Sequence, residues 1–137
     1  MFQYDTISSR MNIMESFDTG KIHIEPKSDS CIHLSFYTDG EVKEQDIGQI
    51  RQYLLQAKGK VTCIVTRDGE YWLSASAQKM LFQQATERVT AVAYVDTNQH
   101  QQLLTYHASQ TYLSGIHVKS CRTMEHAHHW LKRFGQQ

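Results

Sequence analysis

Two short apolar runs constrain this chain more than anything else in it. Val61-Thr62-Cys63-Ile64-Val65 and Val89-Thr90-Ala91-Val92-Ala93-Tyr94-Val95 are almost continuous in apolar and β-branched residues. A strand with one face in water alternates apolar with polar side chains; a strand covered on both faces does not. Both runs therefore read as interior strands of a sheet, with packed layers above and below. After the first run the chain passes a charged break, Thr66-Arg67-Asp68-Gly69-Glu70, and restarts on Tyr71-Trp72-Leu73. A helix then begins behind Ser74, with Ala77, Leu81 and Ala85 along one stripe and Met80 and Phe82 beside it.

The rest of the chain arranges itself around these runs. Met1 to Asp18 fits neither a helical nor an alternating period, so residues 1–20 read as an arm or a weak first strand around Arg10 to Glu15. Residues 21–135 read as one domain. Lys21 to Glu25 and Cys31 to Phe36 alternate and are separated by a polar turn, which predicts an antiparallel hairpin with Pro26 at a strand end. Glu44-Gln45-Asp46 places acid at a helix start, and Ile47, Ile50, Leu54 and Ala57 form its buried stripe, with Gly59 as the stop. A long helix is expected from Gln99 to Leu113. A more polar edge strand follows from Ile116 to Cys121, and then a last helix capped by Thr123. The order β, β, α, β, α, β, α, β, α implies parallel pairing through right-handed crossovers, with an antiparallel hairpin at one edge. The expected class is an α/β domain with a mostly parallel sheet and helices packed on it.

Composition excludes several roles. The chain has 137 residues, enough for one domain with a sizeable core, and its fourteen basic residues balance fourteen acidic ones. A neutral balance lacks the cationic surface that drives non-specific nucleic-acid binding. No apolar run approaches the length of about 20 residues that a membrane helix needs, and the first residues lack a secretory pattern. Cys31, Cys63 and Cys121 are an odd, widely spaced set inside apolar runs, as expected of reduced structural thiols in a cytoplasmic protein.

The stretch from Val61 to Ala77 and the ending His117 to Phe134 resemble the SpoIIAA-like proteins, small bacterial domains with the STAS fold of anti-sigma factor antagonists. The second stretch resembles that family's closing strand and its "threonine-x-glutamate … alanine-x-x-tryptophan-leucine" helix, here Thr123-Met124-Glu125 and Ala127-His128-His129-Trp130-Leu131. By order of elements the likeness runs from Lys21 to Phe134. It implies a single sheet with helices on it and a role in protein–protein regulation rather than catalysis. Partner-switching members carry a phosphorylated serine within an aspartate-serine-serine-glycine signature. The matching stretch here, Leu73-Ser74-Ala75-Ser76-Ala77, keeps two hydroxyls and lacks the aspartate and the glycine. It fits better the relatives that keep the fold without the switch.

Candidate residues follow. Ser74 and Ser76 read first as helix-capping hydroxyls; the functional alternative is a regulatory phosphate at a positive helix end. Trp72 and Leu73 read as a plug at the top of the core. The alternative makes Arg67, Tyr71, Trp72 and Leu73 an interaction surface. The eight histidines form no zinc pattern, and His126 with His129 supply two ligands where a site wants three or four. His107 with Tyr106 and Tyr112 has no nucleophile beside it, and the helix carrying it reads as amphipathic, with its aromatics covering the sheet. No metal, cofactor or catalytic set is therefore expected. The expected role is a non-enzymatic module acting on an unknown protein partner or as a homodimer. The alternative is a binder of a small molecule or lipid-like ligand, in a pocket between helices and sheet.

Overall fold

In the computed structural model, residues 15–134 are described. The arm or weak strand expected around Arg10 to Glu15 lies, except for Glu15, outside the described residues. A six-stranded sheet forms the frame. Its strands are β1 (Phe17–Asp18), β2 (Ile22–Ser28), β3 (Cys31–Phe36), β5 (Val61–Arg67), β7 (Val89–Val95) and β8 (His117–Cys121), side by side in that order. The first three pair antiparallel, and β3, β5, β7 and β8 run parallel. The two apolar runs thus occupy the interior of the sheet, and β8 is an edge. Three described helices connect strands, α1 (Glu44–Leu54), α2 (Ala75–Arg88) and α3 (Gln99–Gln110), and α4 (Met124–Leu131) follows the last strand.

Strand parity sorts the core into two layers. Ile32, Leu34 and Phe36 of β3, Cys63 and Val65 of β5, and Val92 and Tyr94 of β7 share the face that also takes Ile47, Ile50 and Leu54 of α1, Ala77 and Ala85 of α2, and Ala108 of α3. The opposite face carries Ile64, Ala91, Ala93 and Cys121 under Ala127 and Leu131 of α4. One face is thick with isoleucine and leucine, each contributing about 1.5–3 kcal/mol on full burial. The other is a thin, alanine-rich layer. Small side chains there let α4 lie close to β5, β7 and β8.

Local chemistry explains the element ends. The Asp46 carboxylate accepts from the Lys43 N–H at 2.8 Å and from Lys21 Nζ at 3.0 Å, so acid at the start of α1 both caps and pairs. Asn98 Oδ1 and Thr123 Oγ1 accept from the N–H groups of Gln101 and His126 to open α3 and α4. Gly40 turns the chain at φ +109°, a conformation that suits glycine.

Several expectations need correction. Pro26 sits inside β2 rather than at its end, and the strand accommodates it by shifting register between Pro26 and Ser28. The first long helix ends at Leu54, well before Gly59, and the third at Gln110 rather than Leu113. Three short strands went unforeseen: β1, which lies after the stretch where a weak first strand was expected, and β4 (Gly40–Val42) and β6 (Tyr71–Leu73), of which the last two pair parallel in a separate two-stranded sheet. β4 and β6 continue the ends of β3 and β5, where backbone groups of those connections need partners.

Candidate functional site

The candidate surface is built where β5 leads to α2. Asp68 N–H donates to the Phe36 carbonyl at 2.7 Å, Glu70 N–H to Asp39 Oδ1 at 2.8 Å, and Gly40 N–H to the Glu70 carbonyl at 3.0 Å. Gly69 packs against the Thr38 carbonyl so closely that a Cβ has no room. These contacts hold β6 against β4, and the Ser74 N–H extends the pairing to the Val42 carbonyl at 3.0 Å. Period-two geometry then points Tyr71 and Leu73 toward the core and Trp72 away from it. Tyr71 stacks on Phe36 with ring centroids 4.7 Å apart. Trp72 is 59% exposed, so it does not plug the core. An edge-bound three-residue strand cannot bury both of its faces.

Ser74 is the N-cap of α2, its Oγ accepting from the Ala77 N–H at 3.0 Å. Ser76 is exposed in the first turn, and that turn contains no acidic side chain. A phosphate on Ser76 would thus meet a positive helix end without a carboxylate to repel it.

Arg67 lies elsewhere than its place in a charged break implied. It is the last residue of β5 and points inward, leaving 4% of its side chain accessible. It therefore gives little to an interaction surface. Its Nη1 donates to Asp96 Oδ1 at 2.7 Å, to Thr105 Oγ1 at 3.0 Å and to the Gln101 carbonyl at 3.2 Å. Asp96 Oδ2 accepts from Thr105 Oγ1 and from Ser120 Oγ, each at 2.7 Å. The Arg67 guanidinium also lies 4.1 Å from the centre of the Tyr94 ring. Burial would weaken the Arg67 charge, but Tyr94, Tyr71 and Asp96 more than offset it, and its pKa is raised. Burial likewise pushes the Tyr71 phenol up to about 12, against a lowering by Arg67. The network clamps the ends of β5, β7 and β8 to α3, directly behind β6.

Asp96, Thr105 and Ser120 were not foreseen as a set. Parity carried the signal: Arg67 continues the inward positions Cys63 and Val65, and Asp96 continues Val92 and Tyr94. With Thr66 opposite Val95, the next positions on these neighbouring strands bring opposite charges together on one buried face.

A second polar cluster lies on the opposite face of the sheet, over β3 and β5. His33 Nε2 shares hydrogen bonds with Thr66 Oγ1 at 2.9 Å and Ser35 Oγ at 3.3 Å, and Thr66 donates to Ser35 at 3.2 Å. Burial lowers the His33 pKa, with Lys27 adding to the effect and Glu25 opposing it. The neutral imidazole is favoured in the folded state, so the unfolded chain binds more protons just below the ordinary histidine pKa. His33 therefore contributes stability that is present above about pH 6.5 and is lost as pH falls below it. A His33→Gln variant is expected to flatten the melting-temperature profile between about pH 6.5 and 5. An unchanged slope would remove His33 from that account.

The other predicted residues separate. Tyr106 is 65% exposed on α3 rather than covering the sheet; His107 beside it is exposed, and Tyr112 is half-buried. Burial raises the pKa of all three cysteines, keeping them as thiols. Among the described residues no three His, Cys, Asp or Glu side chains are grouped to hold a metal. No described helix is long and apolar enough to cross a membrane. Among the described residues, open clefts flank the sheet, two of them well formed. One, of about 290 Å³, lies between Phe17 and the Gln49–Gln56 side of α1; the other, of about 390 Å³, lies between Asn98 and Arg122. Neither is the closed apolar cavity that a lipid-like ligand calls for.

A mixed sheet with an antiparallel N-terminal edge, three helices on one face and one on the other defines an α/β domain of the SpoIIAA-like, or STAS, fold. The particular likeness is to a solved structure, that of an uncharacterized protein of the DUF3478 family with a SpoIIAA-like fold from Shewanella loihica. The two chains are 24% identical, with a TM-score of 0.54, over 80% of this chain and 91% of that one. No protein family model matches the sequence, and no curated protein matches it.

Proposed function

We propose that this protein is a non-catalytic STAS-type interaction module that docks a protein partner on β6 and the first turn of α2. The observation that carries the reading is Trp72, a large aromatic held 59% exposed on a strand whose neighbours Tyr71 and Leu73 are anchored in the core. Tryptophan is enriched among residues that dominate binding energy, and a rigid platform reduces the ordering cost of docking. Ser76 lies on the same turn, so its phosphorylation is the natural means of regulating the contact: added charge there would order or block it. The resemblance supports this location, since SpoIIAA-like switches carry their serine at the start of the matching helix, while the missing aspartate and glycine set the chemistry here apart.

The test is capture of partners from the native host by tagged wild-type, Trp72→Ala and Ser76→Glu chains, quantified by mass spectrometry. Trp72→Ala is expected to reduce the captured partner at least about 30-fold in affinity terms, as loss of a tryptophan anchor does, with the far-UV circular dichroism unchanged. Equal capture by wild type and Trp72→Ala would sink the reading.

A further inference from the structure

The outward side of the β4–β6 pair is a small array of charge around one aromatic ring. The register sets Gly40, Glu41 and Val42 opposite Tyr71, Trp72 and Leu73. Val42, Tyr71 and Leu73 pack inward, so the alternation turns Glu41 and Trp72 out together, on strands about 5 Å apart. Glu70, two positions before Trp72, takes the same side, and its N–H donates to Asp39 Oδ1 at 2.8 Å. Asp39, Glu41, Asp68 and Glu70 are all exposed. None of these four carboxylates forms a salt bridge among the described residues. Lys21 Nζ reaches the Glu41 carbonyl at 3.1 Å, but it is paired with Asp46 at 3.0 Å. Lys43 is exposed past the last strand pair, toward Ser74. A chain whose charges balance overall thus gathers four carboxylates and a single exposed ammonium on these strands and their loops.

Resting on β6 as the docking surface, we infer that the protein docking there presents a basic element, with an arginine whose guanidinium stacks on Trp72 beside the carboxylates of Glu41 and Glu70. Charge decides among the occupants. An acidic element would meet four carboxylates of its own sign. An apolar one would strip water from Glu41 and Glu70 without replacing their hydrogen bonds. A cation over a ring face is attracted by the ring, and tryptophan is the best aromatic for it. Arginine suits the array better than lysine does, because its planar fork stacks on the indole while its edge still offers N–H groups to a carboxylate. Phosphate on Ser76 would add negative charge to the same surface, so it would strengthen this contact rather than block it.

Titrating the isotope-labelled full chain with a tri-arginine amide, followed by the backbone amide signals of Tyr71 to Ser74, tests it. Saturable shifts are expected at about 0.1–10 mM peptide, weakened at least about threefold by tri-lysine in its place or by raising salt from about 50 to 500 mM. Tri-glutamate should leave the signals where they are. Trp72→Leu keeps apolar bulk without the indole face, and Glu41→Gln/Glu70→Gln keeps shape without the charge. Each should weaken tri-arginine binding at least about threefold with the circular dichroism unchanged, and Ser76→Glu should tighten it. Signals unmoved by tri-arginine, an equal response to tri-glutamate, or wild-type affinity in either variant would overturn the inference. The host partner separates it from the docking reading. Capture that needs Trp72 but is equal in Glu41→Gln/Glu70→Gln would overturn the basic element and leave β6 as the docking surface, whereas capture indifferent to Trp72→Ala would remove both.

Discussion

Replacing Asp96 with alanine is expected to destabilise the fold by about 3–5 kcal/mol, the range found when one partner of a buried ion pair is removed. The expectation rests on what the substitution leaves behind. Arg67 would remain enclosed with its charge uncompensated, and the hydroxyls of Thr105 and Ser120 would lose the carboxylate that both donate to. For a domain of this size the loss corresponds to a fall in melting temperature of roughly 10–20 °C. Replacing the whole set by apolar residues, as in Arg67→Met/Asp96→Leu/Thr105→Val/Ser120→Ala, should recover most of it, because the desolvation of both charges disappears together. If Asp96→Ala melted within about 1 kcal/mol of wild type, the network would not be holding β5, β7 and β8 to α3.

The second large effect is expected at Ile64. It is fully buried and is the only isoleucine or valine among the buried residues of the thin layer, surrounded by Ala91, Ala93, Cys121, Ala127 and Leu131. Ile64→Ala should destabilise by about 2–5 kcal/mol, and Ile64→Val by about 0.5–1.5 kcal/mol. The distribution of the loss is the more specific prediction. The α1–α3 face keeps its own isoleucines, so hydrogen exchange should accelerate first in α4, at amides such as those of His128 to Leu131. Uniform acceleration across α1 and α4 would mean that the two layers are not separate units of packing.

How far the residues foretold the structure differs between the sheet and the site. Val61–Val65 and Val89–Val95 announced interior strands because two-sided burial removes alternation, and the alternating Ile22, Ile24, Ile32 and Leu34 announced the hairpin. Hydroxyl caps marked the starts of α2 and α4, whereas the Asn98 cap of α3 emerged only from the structure. Pairing of β4 with β6 was not legible, since strands of three residues carry almost no periodic signal and form only because the loops around Gly69 and Gly40 bring them together. Trp72 was misread for the same reason: an aromatic in an apolar triplet is ordinarily buried, and only the parity of β6 turns it outward. Arg67 was misread as loop charge because its partner is distant in sequence. The parity that places both on one face was present, but it becomes meaningful only once β5 and β7 are known to be neighbours. On α3, Leu103 and Tyr106 look like core positions until Arg67 and Asp96 fix which side of the helix faces in.

β6 and the start of α2 form the proposed docking surface. Its most direct test is site-specific photo-crosslinking in the native host, with a benzophenone side chain placed at Glu41, which lies opposite Trp72 in the β4–β6 pair. A matched probe at Glu125, exposed on α4, samples the far face of the sheet. The docking account predicts a discrete covalent adduct with another protein from position 41, abolished by Trp72→Ala, and none from position 125. Adducts from position 125 alone, or adducts from position 41 that persist without Trp72, would contradict it.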